Sequence, residues 1–403
     1  MQIFRRYNVT AIAALLLFSP IAASAQTCTT PGPLVSDLSS ASQGTTISLS
    51  GIKPLNCPEI AMTEAWSGGQ LIFSDSPESP ATPGILYRDA LLAATPDGIA
   101  NRVFLYHVNG NPGNRMKFTV QITNFGTDAG TLTIKQQGIA GPTTNYLYAG
   151  KVAFERWLNS TPGVPVSVDP GQTVKLDSGF DSTTAAKDFL LHGIWDYAFT
   201  QPHQVTICAL NEDDDPLTVC PSLPVLSRDS HQRGTFQHAD KIYKSADGIV
   251  VDTGSGVQQF SLAGNAPHDT NAQGIDRTDG SSMSLGGNYG ILYSIHIATQ
   301  SSDGQNLGML VNPRAGAWGG AVKASPGLLP GGVFLIPVGT GAVVNNTEAV
   351  LAGEYSPGGV LTVCLQWMPT GGSSFPLRLL AVPYSRAGRH KNSSPQCPIE
   401  SSR

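Results

Sequence analysis

The most polar passage of the chain, RDSHQRGTFQHADK, gathers Arg228, Asp229, His231, Arg233, His238, Asp240 and Lys241 in a 403-residue protein of which only 13% is charged. Arginine offers paired donors to a carboxylate, and histidine changes charge near neutral pH. Such a set suits an anionic sugar or another carboxylate ligand. It equally suits a clamp, in which Arg and Asp hydrogen bonds tie two domains together at their junction. Arg228, Asp229, His231 and Arg233 carry either reading.

Two aspartate-rich loops offer the oxygen ligands that calcium prefers. One is Asn211-Glu212-Asp213-Asp214-Asp215, with Asp213 and Asp215 as candidate ligands. The other, HDTNAQGIDRTDGSS, holds Asp269, Asp276 and Asp279. Neither has the glycine and distal glutamate of an EF-hand loop, and each reads as well as a solvated acidic turn. Calcium is the one cofactor the sequence suggests. Catalytic signatures are missing: no Gly-x-Ser-x-Gly elbow, His-Glu-x-x-His helix or phosphate-binding loop occurs. Ser230 beside His231 is adjacency in sequence, which does not place a hydroxyl under an imidazole. Glu64, Glu78, Glu155, Asp188, Asp196 and Glu354 are too scattered to select a pair of acids for glycoside hydrolysis. Trp66, Trp157, Trp195, Trp318 and Trp367 supply either a sugar-stacking platform or core, and Trp367 is core by its place in an alternating strand.

The elements that must position these residues are strands. Met116-Lys117-Phe118-Thr119-Val120-Gln121-Ile122-Thr123 alternates without a fault, which predicts one face in the core and one in water. Val164, Val166 and Val168, then Val174 and Leu176 across Asp169-Pro170-Gly171, and Val205 to Ala209, repeat the pattern. A second strand-rich region includes GGVFLIPV and Val360 to Met368, in which Leu361, Val363, Leu365 and Trp367 share a face and Cys364 points outward. A further strand is expected at Thr45 to Leu49. Gly and Pro are abundant, at 44 and 29 residues, and helical periodicity is scarce. The expectation is an all-β protein of two tandem antiparallel β-sandwich domains with a disulfide-pinned N-terminal segment.

The first 25 residues have a basic start at Arg5 and Arg6, an apolar run and an Ala23-Ser24-Ala25 cleavage pattern, which reads as a secretory leader. The expected division is leader 1–25, N-terminal segment 26–66, first sandwich 67–226, linker 227–241, second sandwich 242–385 and tail 386–403. No later segment approaches the roughly 20 apolar residues of a membrane helix. Without the leader, 22 Lys and Arg stand against 29 Asp and Glu, an acidity that argues against a nucleic-acid partner. The six cysteines are then read as disulfides of an oxidising compartment, paired between neighbours: Cys28 with Cys57, Cys208 with Cys220, Cys364 with Cys397. A zinc site is disfavoured, since no Cys-x-x-Cys occurs.

The tetrapeptide Gly-Ile-Leu-Tyr occurs at Gly84–Tyr87 and again at Gly290–Tyr293. The residues after the two copies disagree. A better register sets Phe104-Leu105-Tyr106-His107-Val108 against Ile291-Leu292-Tyr293-Ser294-Ile295, each followed by a polar loop and a new strand. This predicts a repeated strand-loop-strand unit in which neither His107 nor His296 has a counterpart.

At RDSHQRGTF, DGIANRVFLYHVNGN, KQQGIAGPTTNYLYAGK, GIDRTDGS, GNYGILYSIHI, NPRAGAWGGA and QWMPTGGSSFPLRLLAVP, the chain resembles a family of secreted bacterial β-rich proteins often found beside a copper-amine-oxidase-like stalk domain. The resemblance runs from about Leu86 to Pro383. The stalk is absent from this sequence, and the family supplies no catalytic residues and implies no copper chemistry. Taken together, the expectation is an extracytoplasmic, non-enzymatic protein with a structural or binding role at the cell surface or matrix. The alternative is a carbohydrate-binding module or carbohydrate-active enzyme working near the RDSHQR segment, with a surface or extracellular polysaccharide as partner.

Overall fold

The computed structural model describes residues 28–264, 268–314 and 316–385. The expected leader, the tail and Cys397 lie outside the described residues. The described residues are built mainly of strands, arranged in four sheets. Ten strands account for most of the first half: β1 (Met62–Ser67), β2 (Leu71–Ser74), β3 (Gly84–Leu92), β4 (Asn101–Val108), β5 (Met116–Asn124), β6 (Gly130–Thr143), β7 (Val166–Val168), β8 (Thr173–Lys175), β9 (Leu190–Phe199) and β10 (His203–Asn211). Ten more follow in the second: β11 (Arg233–Phe236), β12 (Asp240–Ser245), β13 (Gln258–Leu262), β14 (Leu292–Gln300), β15 (Asn306–Pro313), β16 (Gly320–Ala324), β17 (Gly332–Ile336), β18 (Glu348–Tyr355), β19 (Leu361–Trp367) and β20 (Leu377–Tyr384).

The two series have one topology. In the first half the strands run β11-β2-β4-β9-β6-β7 in one sheet and β3-β10-β5-β8 in the other. In the second they run β1-β12-β14-β19-β16-β17 and β13-β20-β15-β18. Each strand of the first series thus has its match ten strands on, including the parallel pairs β2 with β4 and β12 with β14. The leading strand of each half is exchanged: β1 pairs with β12, and β11 pairs with β2. Three residues join β1 to β2 and β11 to β12, and in both places the chain passes from one half's sheet to the other's. The segment expected as a linker, 227–241, therefore contains a strand of the first half's sheet, and a hairpin of Gln273–Asp276 and Ser281–Ser284 extends that sheet beyond β11.

Tyr106 and Tyr293 do fall on matching strands, β4 and β14. The residue register differs from the expected one by three. Leu71 pairs with Arg102 where Asp240 pairs with Leu292, so Tyr293 matches Val103 and Tyr106 matches His296. The cross-strand partners of Val103 and Tyr293 are Trp195 and Trp367, a matched pair of buried tryptophans that the local strings do not reveal. The two Gly-Ile-Leu-Tyr copies belong to strands that do not match.

Apolar side chains of β4, β5, β9 and β10, among them Val103, Leu105, Phe118, Val120, Trp195 and Ile207, form the core between the first pair of sheets. The second pair encloses Tyr243, Ile295, Leu307, Met309, Val363 and Leu379. This second core runs on without a break to Phe73, Phe104, Tyr106 and Leu190, on the other face of the first half. Burying one such side chain is worth about 1.5–3 kcal/mol, so the continuity makes the halves one packed body.

A helix that the strand pattern does not announce, α1 (Tyr146–Asn159), covers that seam. Asn145 caps it by accepting from the Tyr148 amide, and Ala149, Val152, Ala153, Phe154 and Trp157 form its buried face. Gly138 of β6 lets the helix approach, because a Cβ there would lie 1.9 Å from the Ala153 carbonyl oxygen.

Two disulfides are present among the described residues, Cys28–Cys57 and Cys208–Cys220. The first holds the N-terminal segment, whose helix Gly32–Ser40 and strand Thr46–Ser48 pack on the sheet of β18 and β20. Cys364 lies on the face of β19 that carries the exposed Thr362, opposite to Val363, Leu365 and Trp367. It is buried at 5% exposure, with its amide and carbonyl taken by Ser325. The supposed wet face of β5 is also covered: Lys117, Thr119 and Gln121 reach Glu212, Asp181 and Pro216, on segments that fold over the strand. No helix among the described residues is long and apolar enough to cross a membrane.

Candidate functional site

The Arg228–Lys241 segment divides into three clusters along the line where the halves meet. In the first, Arg233 begins β11, which seats it between β2 and the Gln273–Asp276 hairpin. It is 3% exposed. Its Nε donates to Asp276 Oδ2 at 2.8 Å, Nη1 to the Leu86 and Leu226 carbonyls at 2.8 Å each, and Nη2 to Thr278 Oγ1 at 2.9 Å. Arg228 adds a second cation 3.6 Å from the same Asp276 oxygen. A buried guanidinium whose three nitrogens each donate to protein oxygens presents no free fork to a ligand.

Asp229 and His231 lie nearer the surface. Asp229 accepts from Ser76 Oγ at 2.8 Å and from the Glu78 and His231 amides at 3.0 and 2.8 Å. Burial pushes its pKa up, but these hydrogen bonds outweigh it and hold the carboxylate at about 2. The His231 ring stands between Asp229, at 3.1 Å, and Glu78, at 3.4 Å.

In the second cluster Asp240 faces Arg102 at 3.1 Å. Arg102 is held by both oxygens of Asp196 at 2.7 and 2.9 Å, donates to the Ala239 and Gly290 carbonyls, and lies 4.8 Å from the Trp157 ring centre. The third surrounds Lys241, whose side chain has no exposure. Its Nζ lies 2.5 Å from Asp269 Oδ1, 3.2 Å from Glu64 Oε1 and 4.1 Å from the Trp66 ring centre. The Tyr243 and Tyr293 hydroxyls donate to Asp269 at 2.9 and 2.7 Å. Burial first, then the Asp269 charge, drives both phenols above their ordinary range, so they remain donors. His238 stacks on Trp66 with ring centres 6.2 Å apart.

The acidic loops do not assemble. Asp214 accepts from the Asn211 amide, Asp215 from Thr218 Oγ1 and Asp279 from the Ser281 amide, while Asp213 is exposed. Asp276 already faces two arginines, and Asp269 faces Lys241. Among the described residues no group of three or more His, Cys, Asp or Glu side chains is placed to hold a metal ion. Of the tryptophans, Trp157, Trp195 and Trp318 have no exposure and Trp367 is 4% exposed, while Trp66 is partly buried over Lys241.

One arrangement has no motif to announce it. Ser74 pairs with Leu105 and Tyr106 with His192, so Asp75, just past the end of β2, follows in line with Tyr106 of β4 and His192 of β9, on the face that carries Phe73 and Phe104. Three residues from three distant segments leave no local signal.

No protein-family model matches the chain, and no curated protein matches it. Among solved structures, the PBSX exported protein XepA is 13% identical, with 75% of this chain and 86% of that chain covered at a TM-score of 0.16. Lac15 from a marine microbial metagenome is 10% identical, with 81% and 64% covered at a TM-score of 0.15. Similarity at this level carries no argument about fold or function.

Proposed function

We propose that the protein acts outside the cytoplasm as a non-enzymatic β-sheet protein with a structural or binding role at the cell surface or in the matrix, exported by its leader. The observation that carries this reading is Arg233. The residue best equipped to grip an anionic ligand is 3% exposed and satisfied by Asp276, Thr278 and two carbonyls, which is the behaviour of a clamp. The disulfides support an oxidising compartment.

Incubation of the purified chain with a panel of surface and matrix polysaccharides, read both for retention and for newly formed reducing ends, tests the reading. Retention or inertness without product is the expected result. Product formation that disappears on substituting His231 or Arg233 would overturn it.

A second reading, a carbohydrate-binding module, is favoured by one observation. Tyr146 and Tyr289, both partly buried aromatic rings, stand beside Gly372 and Ser373, next to the Gly371 that packs on Tyr106.

A further inference from the structure

Lys241, Asp269 and Glu64 come from three separate segments and meet among the rings of Trp66, Tyr243 and Tyr293, whose centres lie 4.1, 5.8 and 6.0 Å from Lys241 Nζ. Lys241 and Asp269 have no exposure, and Nζ is 2.5 Å from Asp269 Oδ1. An amine held against a carboxyl in the interior is in position for amide formation, since contact replaces the encounter and a dry site favours the neutral, nucleophilic amine.

The carboxyl is held as an acyl-transfer site holds its carbonyl. Tyr293 donates to Asp269 Oδ2 at 2.7 Å, and Ala263, at a φ of 59° that residues with a side chain seldom adopt, donates its amide to the same oxygen. Two donors there stabilise the negative charge that develops on Oδ2 when Nζ adds to Cγ. The other oxygen, Oδ1, is 2.9 Å from the Tyr243 hydroxyl. That hydroxyl is also 2.8 Å from Glu64 Oε2, while Glu64 Oε1 is 3.2 Å from Nζ. A phenol has one proton to give and lone pairs to accept another, so Tyr243 can pass a proton from Glu64 to Asp269. These contacts form a relay from the amine to Oδ1.

We propose that Lys241 and Asp269 join in an intramolecular isopeptide bond, with Glu64 as the general base and acid. Glu64 takes one proton from the ammonium and delivers it through Tyr243 to Oδ1, which leaves a neutral amine and a neutral acid. The Nζ lone pair then forms the bond to Cγ. A second proton from the nitrogen follows the same route, the Cγ–Oδ1 bond breaks, and one water departs while Glu64 returns to a carboxylate. The ion pair is the arrangement that precedes the bond. Glu64 lies on β1 and Lys241 on β12, so the machinery is complete only once the leading strand has crossed between the halves. The bond then locks β12 to the segment that follows β13, whatever the chain binds.

Mass spectrometry of the full mature chain, reduced and unfolded, tests this, with a protease digest to locate the link. The parent is expected to weigh one water less than its sequence and to yield a branched peptide joining Lys241 to Asp269. Lys241→Arg keeps the cation without the amine nucleophile, and Glu64→Gln keeps the shape without the base. Each, first shown by its melting curve to be folded, is expected to have its full mass. A parent of full mass that yields no branched peptide overturns the proposal, and this result needs no variant. A deficit that persists in Lys241→Arg overturns it too, because the water was then lost elsewhere. A complete link in Glu64→Gln overturns the part given to Glu64.

Discussion

Glu64 and Lys241 stand 3.2 Å apart on β1 and β12, strands that are neighbours only because each half lends its leading strand to the other. Arg233 and Asp276 make the reciprocal connection from β11, at 2.8 Å. Both ion pairs sit on exchanged strands, so the charge concentrated between Arg228 and Lys241 marks the crossing of the chain between its halves. Lys241, Arg233 and Asp276 are buried, while Glu64 keeps 22% of its side chain exposed, and loss of a partner leaves a buried charge uncompensated.

Lys241→Met is expected to lower stability by about 3–5 kcal/mol, because Asp269 then remains buried without its cation. Urea denaturation of this variant, of Asp269→Asn and of the double variant measures it. The double variant should recover part of the loss, and strictly additive losses would show that the two residues do not act as a pair.

Acid should weaken the fold before it protonates ordinary carboxylates. Burial lowers the pKa of both His107 and His192 to about 4, whereas an unfolded chain protonates histidine near 6.5. Between those values the unfolded state binds more protons, so stability is intact above about pH 6.5 and falls as the pH drops toward 4, by up to about 3 kcal/mol for each ring. A His192→Gln variant followed by thermal melting from pH 7 to 4 should show a shallower decline than the parent. An identical slope would contradict the account.

Asp181 works in the opposite direction. Burial raises its pKa to about 7, only partly offset by the hydrogen bond from Thr119. Folded Asp181 keeps its proton where the unfolded chain releases it, so stability contributed at low pH is lost as the pH rises through 7. Asp181→Asn should therefore raise stability at pH 8 by about 2–4 kcal/mol and have little effect at pH 4. Melting curves of parent and variant at the two values decide it.

The Cys208–Cys220 bridge closes the acidic loop against Ile85 and Leu210. Replacing both cysteines with alanine should cost about 3 kcal/mol, the scale for a loop of this length, and denaturant titration under non-reducing conditions measures it. Calcium or a chelator should leave the parent's melting temperature unchanged, since the Asp276 carboxylate is already held by arginines.

Much of the fold is legible because strands announce themselves by period two: Met116–Thr123 is a strand, and Cys28–Cys57 and Cys208–Cys220 pair as neighbours. The face of β5 departs from its pattern because burial depends on what folds over it. Lys117, Thr119 and Gln121 look like solvent residues until Glu212, Asp181 and Pro216 cover them. The repeat is visible at Tyr106 and Tyr293, but local identity sets the register three residues off, since only cross-strand pairing shows that Val103 and Tyr293 both back onto tryptophan. Strand exchange has no signature within any one segment. The polar RDSHQR stretch stands out in the sequence, and whether it opens to solvent depends on the Asp276 hairpin that closes over Arg233.

The most direct test of the central claim is Arg233→Ala, measured by denaturant unfolding and by activity on the polysaccharide panel. The account predicts a loss of about 3–5 kcal/mol in stability with no turnover in parent or variant. A variant as stable as the parent that has lost a turnover the parent possessed would contradict it.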